Sequence, residues 1–132
     1  MTLVDLTKML FTELKKSNAK ISPAQAALIA AAANQIRTVI GQLDPASPLP
    51  AAEAAVFDLI ATINGLGVSV PTANSLRGDA GDAGLALVDG NVNGACTSLQ
   101  HVEDTANTNQ LTPAQRAVLL PAVNAVRQPI GC

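Results

Sequence analysis

The chain has 132 residues, enough for one domain with a buried core, and its 48% hydrophobic against 14% charged composition excludes disorder as the resting state. A net charge of −2 with only eight basic residues excludes a phosphate-backbone binder. Two Phe, no Tyr and no Trp leave few platforms for base stacking and few anchors for a tight small-ligand pocket.

Residues 2–17 read as a first helix, with Leu3, Leu6, Leu10 and Leu14 on one stripe and Lys8, Thr12, Lys15 and Lys16 off it. Ser17–Lys20 is a short connector. Ser22 then supplies an N-cap oxygen, and Pro23 sits where a missing N–H costs nothing. The second helix runs to Val39–Ile40 and stops at Gly41. Its expected inward stripe is Leu28, Ala32, Ile36, Val39 and Leu43, flanked by Ile29, Ala33 and Ile40. The run Ala26–Ala33 is the longest apolar stretch, eight residues against the roughly 20 needed to cross a bilayer, so no membrane span is expected.

Three prolines in Asp44–Pro50 break the chain, and a third helix follows from about Leu49 to Asn64. Ala52, Val56, Leu59, Ile60 and Ile63 form its apolar face, and Gly65 and Gly67 end it. Val68–Pro71 reads as extended, with one helical turn over Thr72–Arg77. Five glycines between Gly78 and Gly94 make a continuous helix costly, at about 1 kcal/mol per interior glycine relative to alanine. A short helix followed by a loop is the expectation there.

From Leu111 to Cys132 the chain repeats Ile21–Gln42 at a gap-free offset of 90, with nine identities in 22 positions. Asn34/Asn124 and Arg37/Arg127 are among the repeat pairs, expected to serve structure by bonding the hairpin loops or one another. The helix before it, over Asn93–Asn107, aligns with the first helix and carries a thin stripe of Cys96, Leu99 and Val102. Thr112 and Pro113 repeat the cap, and Val118, Leu119, Ala122, Val123 and Val126 line the last helix. Pro121, inside that helix, should kink it or leave one carbonyl unpaired, and Pro129 should end it. The expected fold is therefore all-α, a compact single-domain bundle of five or six helices. Two pseudo-symmetric hairpins, 2–42 and 92–132, would enclose a central helix and a Gly-rich insert, together spanning 43–91.

Four features bear on chemistry. Cys96 and Cys132 come near the same end of the second hairpin if the chain folds back after Pro129. A disulfide there would close a 36-residue loop and contribute about 3–4 kcal/mol. It would also mark an oxidising, extracellular or virion setting. Asp89–Gln100 fits the start of a calcium loop at Asp89, Asn91, Asn93 and Gly94, with Thr97 at position nine. Gln100 stands where a bidentate glutamate is required, so no metal site is expected, and Asp89, Asn91, Asn93 and Thr97 are only the nearest approach to one. His101 is the sole histidine, and five residues from Cys96 on one helix it faces about 140° away, so the pair makes no nucleophile and base. Basic residues gather in 1–20 and acidic ones in 78–104, read as two solvated faces rather than patches joining copies.

No cofactor motif or catalytic set is present, so no enzyme is expected. The sequence reads as a non-enzymatic structural or interaction protein that assembles with itself or with a larger particle. A capsid decoration or connector subunit of a bacteriophage virion fits that description. The alternative is an extracellular carrier holding a small apolar ligand among Leu10, Phe11, Leu28, Ile36, Phe57 and Ile60. The first residues lack the uninterrupted apolar core of a signal peptide, and the compartment is left open.

Overall fold

A computed structural model describes residues 2–132. It contains six helices and, among the described residues, no strand: α1 (Leu3–Leu14), α2 (Pro23–Val39), α3 (Leu49–Asn64), α4 (Val70–Val88), α5 (Val92–Ala106) and α6 (Pro113–Ile130). Helices α3 and α4 pack together at the centre. The α1–α2 hairpin lies on one side and the α5–α6 hairpin on the other, so that α1 and α5 both meet α4 while α2 and α6 both meet α3. The centre thus holds two helices instead of one helix and an insert.

Local chemistry sets most helix starts. Thr2, Ser22 and Thr112 each accept a bond from the N–H three residues on, and the third-position Asp5, Gln25 and Gln115 bond back to the cap N–H. The α2 stop falls at Gly41, whose φ of 79° suits a residue without Cβ. Behind it the N–H groups of Gln42 and Leu43 both donate to the Arg37 carbonyl.

Helix α4 corrects the reading of residues 68–94. It starts at the Ser69 cap and runs unbroken through Gly78, Gly81 and Gly84. Glycine propensity is overridden here by tertiary contact. A Cβ on Gly84 would run into the Phe11 ring, and one on Gly81 into the aliphatic stem of Lys15. Helix α1 therefore approaches α4 more closely than any side chain at these positions would allow. Phe11 is fully buried and stacks on Phe57 of α3 with ring centroids 4.5 Å apart. Around this pair the core gathers Leu10, Leu14, Val56, Ile60, Leu76 and Leu87.

Two further expectations change. Pro121 lies inside α6, as expected, but Pro129 does not end the helix, which runs on to Ile130 with left-handed Gly131 as its cap. The carbonyls four residues before these prolines belong to Ala117 and Ala125, both exposed, so the bonds that the prolines cannot donate are missing on the solvent side. The basic first helix and the acidic 78–104 segment meet within one molecule: Lys8 pairs with Asp89 and Lys15 with Asp82, each at 2.5 Å.

Gly84→Ala should destabilise the fold by about 1–3 kcal/mol through overpacking against Phe11. Gly78→Ala, whose added Cβ meets open space, should stabilise it by up to about 1 kcal/mol. Urea unfolding of both variants checks the pair, and equal effects at the two sites would show that α1 does not depend on the missing Cβ.

Candidate functional site

The two faces of α2 are the most unusual surface of the molecule. Positions 26, 30, 33 and 34 form one helical stripe and 28, 32, 36 and 39 another, and the helical repeat sets them on opposite sides. Apart from Asn34 both are apolar, so periodicity cannot choose between them. The structure buries Ala26, Ala30, Ala33 and Asn34 and turns the large residues outward, correcting the expected inward stripe. Leu28 is 73% exposed, Ile36 49%, Val39 80% and Ile40 56%. Small side chains let α2 settle closely on α3, which favours the alanine face. The exposed residues of α2 include no charged side chain, and from Leu28 to Ile40 this apolar strip extends about 18 Å.

On the inner side of α2 lies a cleft of about 460 Å³ against α3. Glu53 of α3, only 3% exposed, contributes to its wall. Its Oε2 receives a long bond from Asn34 Nδ2 at 3.5 Å, and no protein group reaches its Oε1. Arg37 stands nearby, but its NH1 donates to Asn34 Oδ1 at 3.4 Å and its Nε is buried without a partner. Burial pushes the Glu53 carboxyl up to about 7, against the pull of the Arg37 charge and the Asn34 bond. Glu53 is not singled out by the sequence analysis. Its signal was its place: it precedes Val56, Phe57 and Ile60 by three, four and seven residues, which sets it on the buried face of α3.

The other candidates are dispersed. Cys96 and Cys132 are joined as a disulfide, with Cα atoms 6.0 Å apart. Left-handed Gly131 turns the tail back, so that the Cys132 N–H reaches the Arg127 carbonyl. Asp89, Asn91, Asn93 and Thr97 do not form a loop around a common point. Asn91 caps α5 by accepting from the Gly94 N–H, Asn93 and Thr97 lie within α5, and Asp89 faces Lys8. Among the described residues no group of three His, Cys, Asp or Glu side chains converges. His101 is 60% exposed, with Nδ1 4.0 Å from Asp79 Oδ1.

The repeat pairs do not bond across the centre, which corrects that expectation. Arg37 turns to its helix neighbour Asn34, whereas Arg127 donates to Glu103 at 2.6 Å and to Gln100 at 3.2 Å. Asn34 is buried and Asn124 exposed, because α6 presents Leu119, Val123 and Val126 inward and is thus rotated relative to α2. The six residues proposed to line an internal cavity do not share one. Leu10, Phe11, Phe57 and Ile60 are packed core, while Leu28 and Ile36 lie outside.

Glu53 gives a pH signature. Its folded pKa lies above the ordinary 4.5, so the stability it contributes is complete below pH 4.5 and is lost as pH rises toward about 7. The loss should reach about 3 kcal/mol. Urea unfolding from pH 4 to 8 should show Glu53→Gln gaining on the parent chain as pH rises, and a constant difference would sink this account.

No protein-family model matches this chain, and no curated protein or solved structure does either.

Proposed function

We propose that the protein is a non-enzymatic structural protein that assembles with copies of itself or with a larger particle through the outer face of α2. One observation carries this reading: Leu28, Ile36, Val39 and Ile40 form a continuous, uncharged apolar strip in water. Free soluble monomers rarely leave such a strip uncovered, whereas interface cores are depleted of charge in this way.

The disulfide between Cys96 and Cys132 suits a protein that works in an oxidising setting, outside the cell or on a virion. A capsid decoration or connector subunit of a bacteriophage is the larger particle we put forward. Its support is the small, alanine-rich and sparsely charged chain together with the α2 strip.

Sedimentation velocity over a wide concentration range tests the self-assembly arm. The parent chain should associate as concentration rises, and Leu28→Glu with Ile36→Lys should keep it monomeric. Because both positions are exposed, the double variant should unfold within about 1 kcal/mol of the parent. Unchanged association in the double variant would remove α2 as the interface. A strictly monomeric parent would leave only the larger-particle arm.

A further inference from the structure

The α2–α3 cleft carries a second inference, independent of the outer strip, because its lining lies on the inner edge of α2. The methyl groups of Ala30 and Ala54 and the ring of Phe57 give it an apolar floor. Two carboxyl groups, those of Asp44 and Glu53, line it, and no Lys, Arg or His does. Asp44 is exposed at the rim and Glu53 is buried at the wall.

The positions of the hydrogen-bonding groups define what is missing. Asp44 Oδ1 already accepts from the Ala46 N–H at 2.9 Å. Asn34 uses its amide on Glu53 Oε2 and its carbonyl on Arg37. Glu53 Oε1 is left without a protein donor, and a buried acceptor in that condition is destabilising. Arg37 does not supply the missing bond, for its guanidinium is held at Asn34 and contributes nothing to the cleft lining. Oε1 itself is closed off, so a donor entering from the cleft completes the carboxylate once the Glu53 side chain turns toward the opening. A cation would also offset its burial, while an anion would meet two carboxyl groups. The floor of methyl groups suits a short hydrocarbon beside that charge.

We propose that the α2–α3 cleft binds a small aliphatic amine, with the ammonium group donating to Glu53 Oε1 and the hydrocarbon stem lying over Ala30, Ala54 and Phe57. Asp44 at the mouth adds attraction for the incoming cation without contacting it directly. Binding holds Glu53 ionised, so below pH 7, where the free carboxyl is mostly protonated, it gives up its proton when the amine enters.

Calorimetric titration with n-hexylammonium tests this, with hexanoate and hexanol as matched probes. At pH 6, in buffers of different ionisation heat, hexylammonium should bind one to one and release close to one proton. Hexanoate and hexanol should give no saturable heat. Glu53→Gln should weaken hexylammonium by about tenfold or more and abolish the proton release. Ala54→Leu keeps the carboxyl and narrows the floor, and it should weaken binding while the proton release persists at saturation. Should Glu53→Gln fail to fold, Ala54→Leu and the proton count in the parent chain still decide. Equal binding of hexanoate, undiminished binding to Glu53→Gln, or no saturable heat with hexylammonium would each overturn the proposal. The last result would leave water as the partner of Oε1. Substitutions at Leu28 and Ile36 should not alter amine binding, which separates this test from that of assembly.

Discussion

The fold depends on one close approach. Phe11 and Phe57 are the only aromatic residues in the chain, and they stack at its centre. Phe11 reaches that place because Gly84 and Gly81 leave α4 bare where α1 crosses it. The ring then joins α1, α3 and α4 in one contact. A glycine in a helix loses backbone entropy and exposes the chain to water. Here those costs are offset by burying a whole aromatic side chain, worth about 1.5–3 kcal/mol from area alone. The glycines that argue against a helix locally are the ones that let the bundle close.

The two hairpins are held to this centre by different means. The α5–α6 pair has the covalent bond between Cys96 and Cys132 and the Arg127–Glu103 ion pair, whose side chains are only 16% and 19% exposed. The α1–α2 pair rests on Phe11, on alanine packing, and on the pairs of Lys8 with Asp89 and Lys15 with Asp82, which are substantially exposed. Exposed pairs of that kind contribute at most about 1 kcal/mol each, whereas closing a 36-residue loop contributes about 3–4 kcal/mol. Helix α2 also adds to the unevenness by burying a carboxyl without full compensation. Local opening should therefore begin at the α1–α2 side, where the candidate surfaces lie.

How much of this could be read from the residues depends on whether each signal is local. The starts of α2 and α6 follow from Ser22-Pro23 and Thr112-Pro113, and the extent of α3 from its proline entry and Gly65 exit. Those signals act within one turn, and the fold class follows from them. Helix α4 was not legible, because its continuity depends on Phe11, some 70 positions away in sequence. The inward face of α2 was ambiguous for a different reason: with apolar residues on both sides, the choice rests on how closely α3 can approach. Glu53 belongs to the same class. Its stripe could be read from Val56, Phe57 and Ile60, but the incomplete partnership with Asn34 and Arg37 exists only after α2 has docked.

The repeat supplies an internal control for what is unusual about α2. At the aligned positions, α6 carries Leu119, Val123 and Val126 where α2 carries Ile29, Ala33 and Ile36. In α6 all three are buried, and the helix spends its large side chains on the core. In α2 only Ala33 is buried, and the helix docks instead through Ala26, Ala30 and Asn34. A helix whose sole task was to cover α3 would gain by turning as α6 does, since isoleucine buries far more apolar area than alanine. It would also move Asn34 away from Glu53, since the equivalent Asn124 is exposed. The rotation of α2 thus does two things at once. It leaves Ile36 and its neighbours available on the outside, and it sets a polar pair in the cleft on the inside. Both surfaces come from a single choice of helix face, made at the expense of core burial. That common origin makes α2 the element in which core burial is most plainly given up.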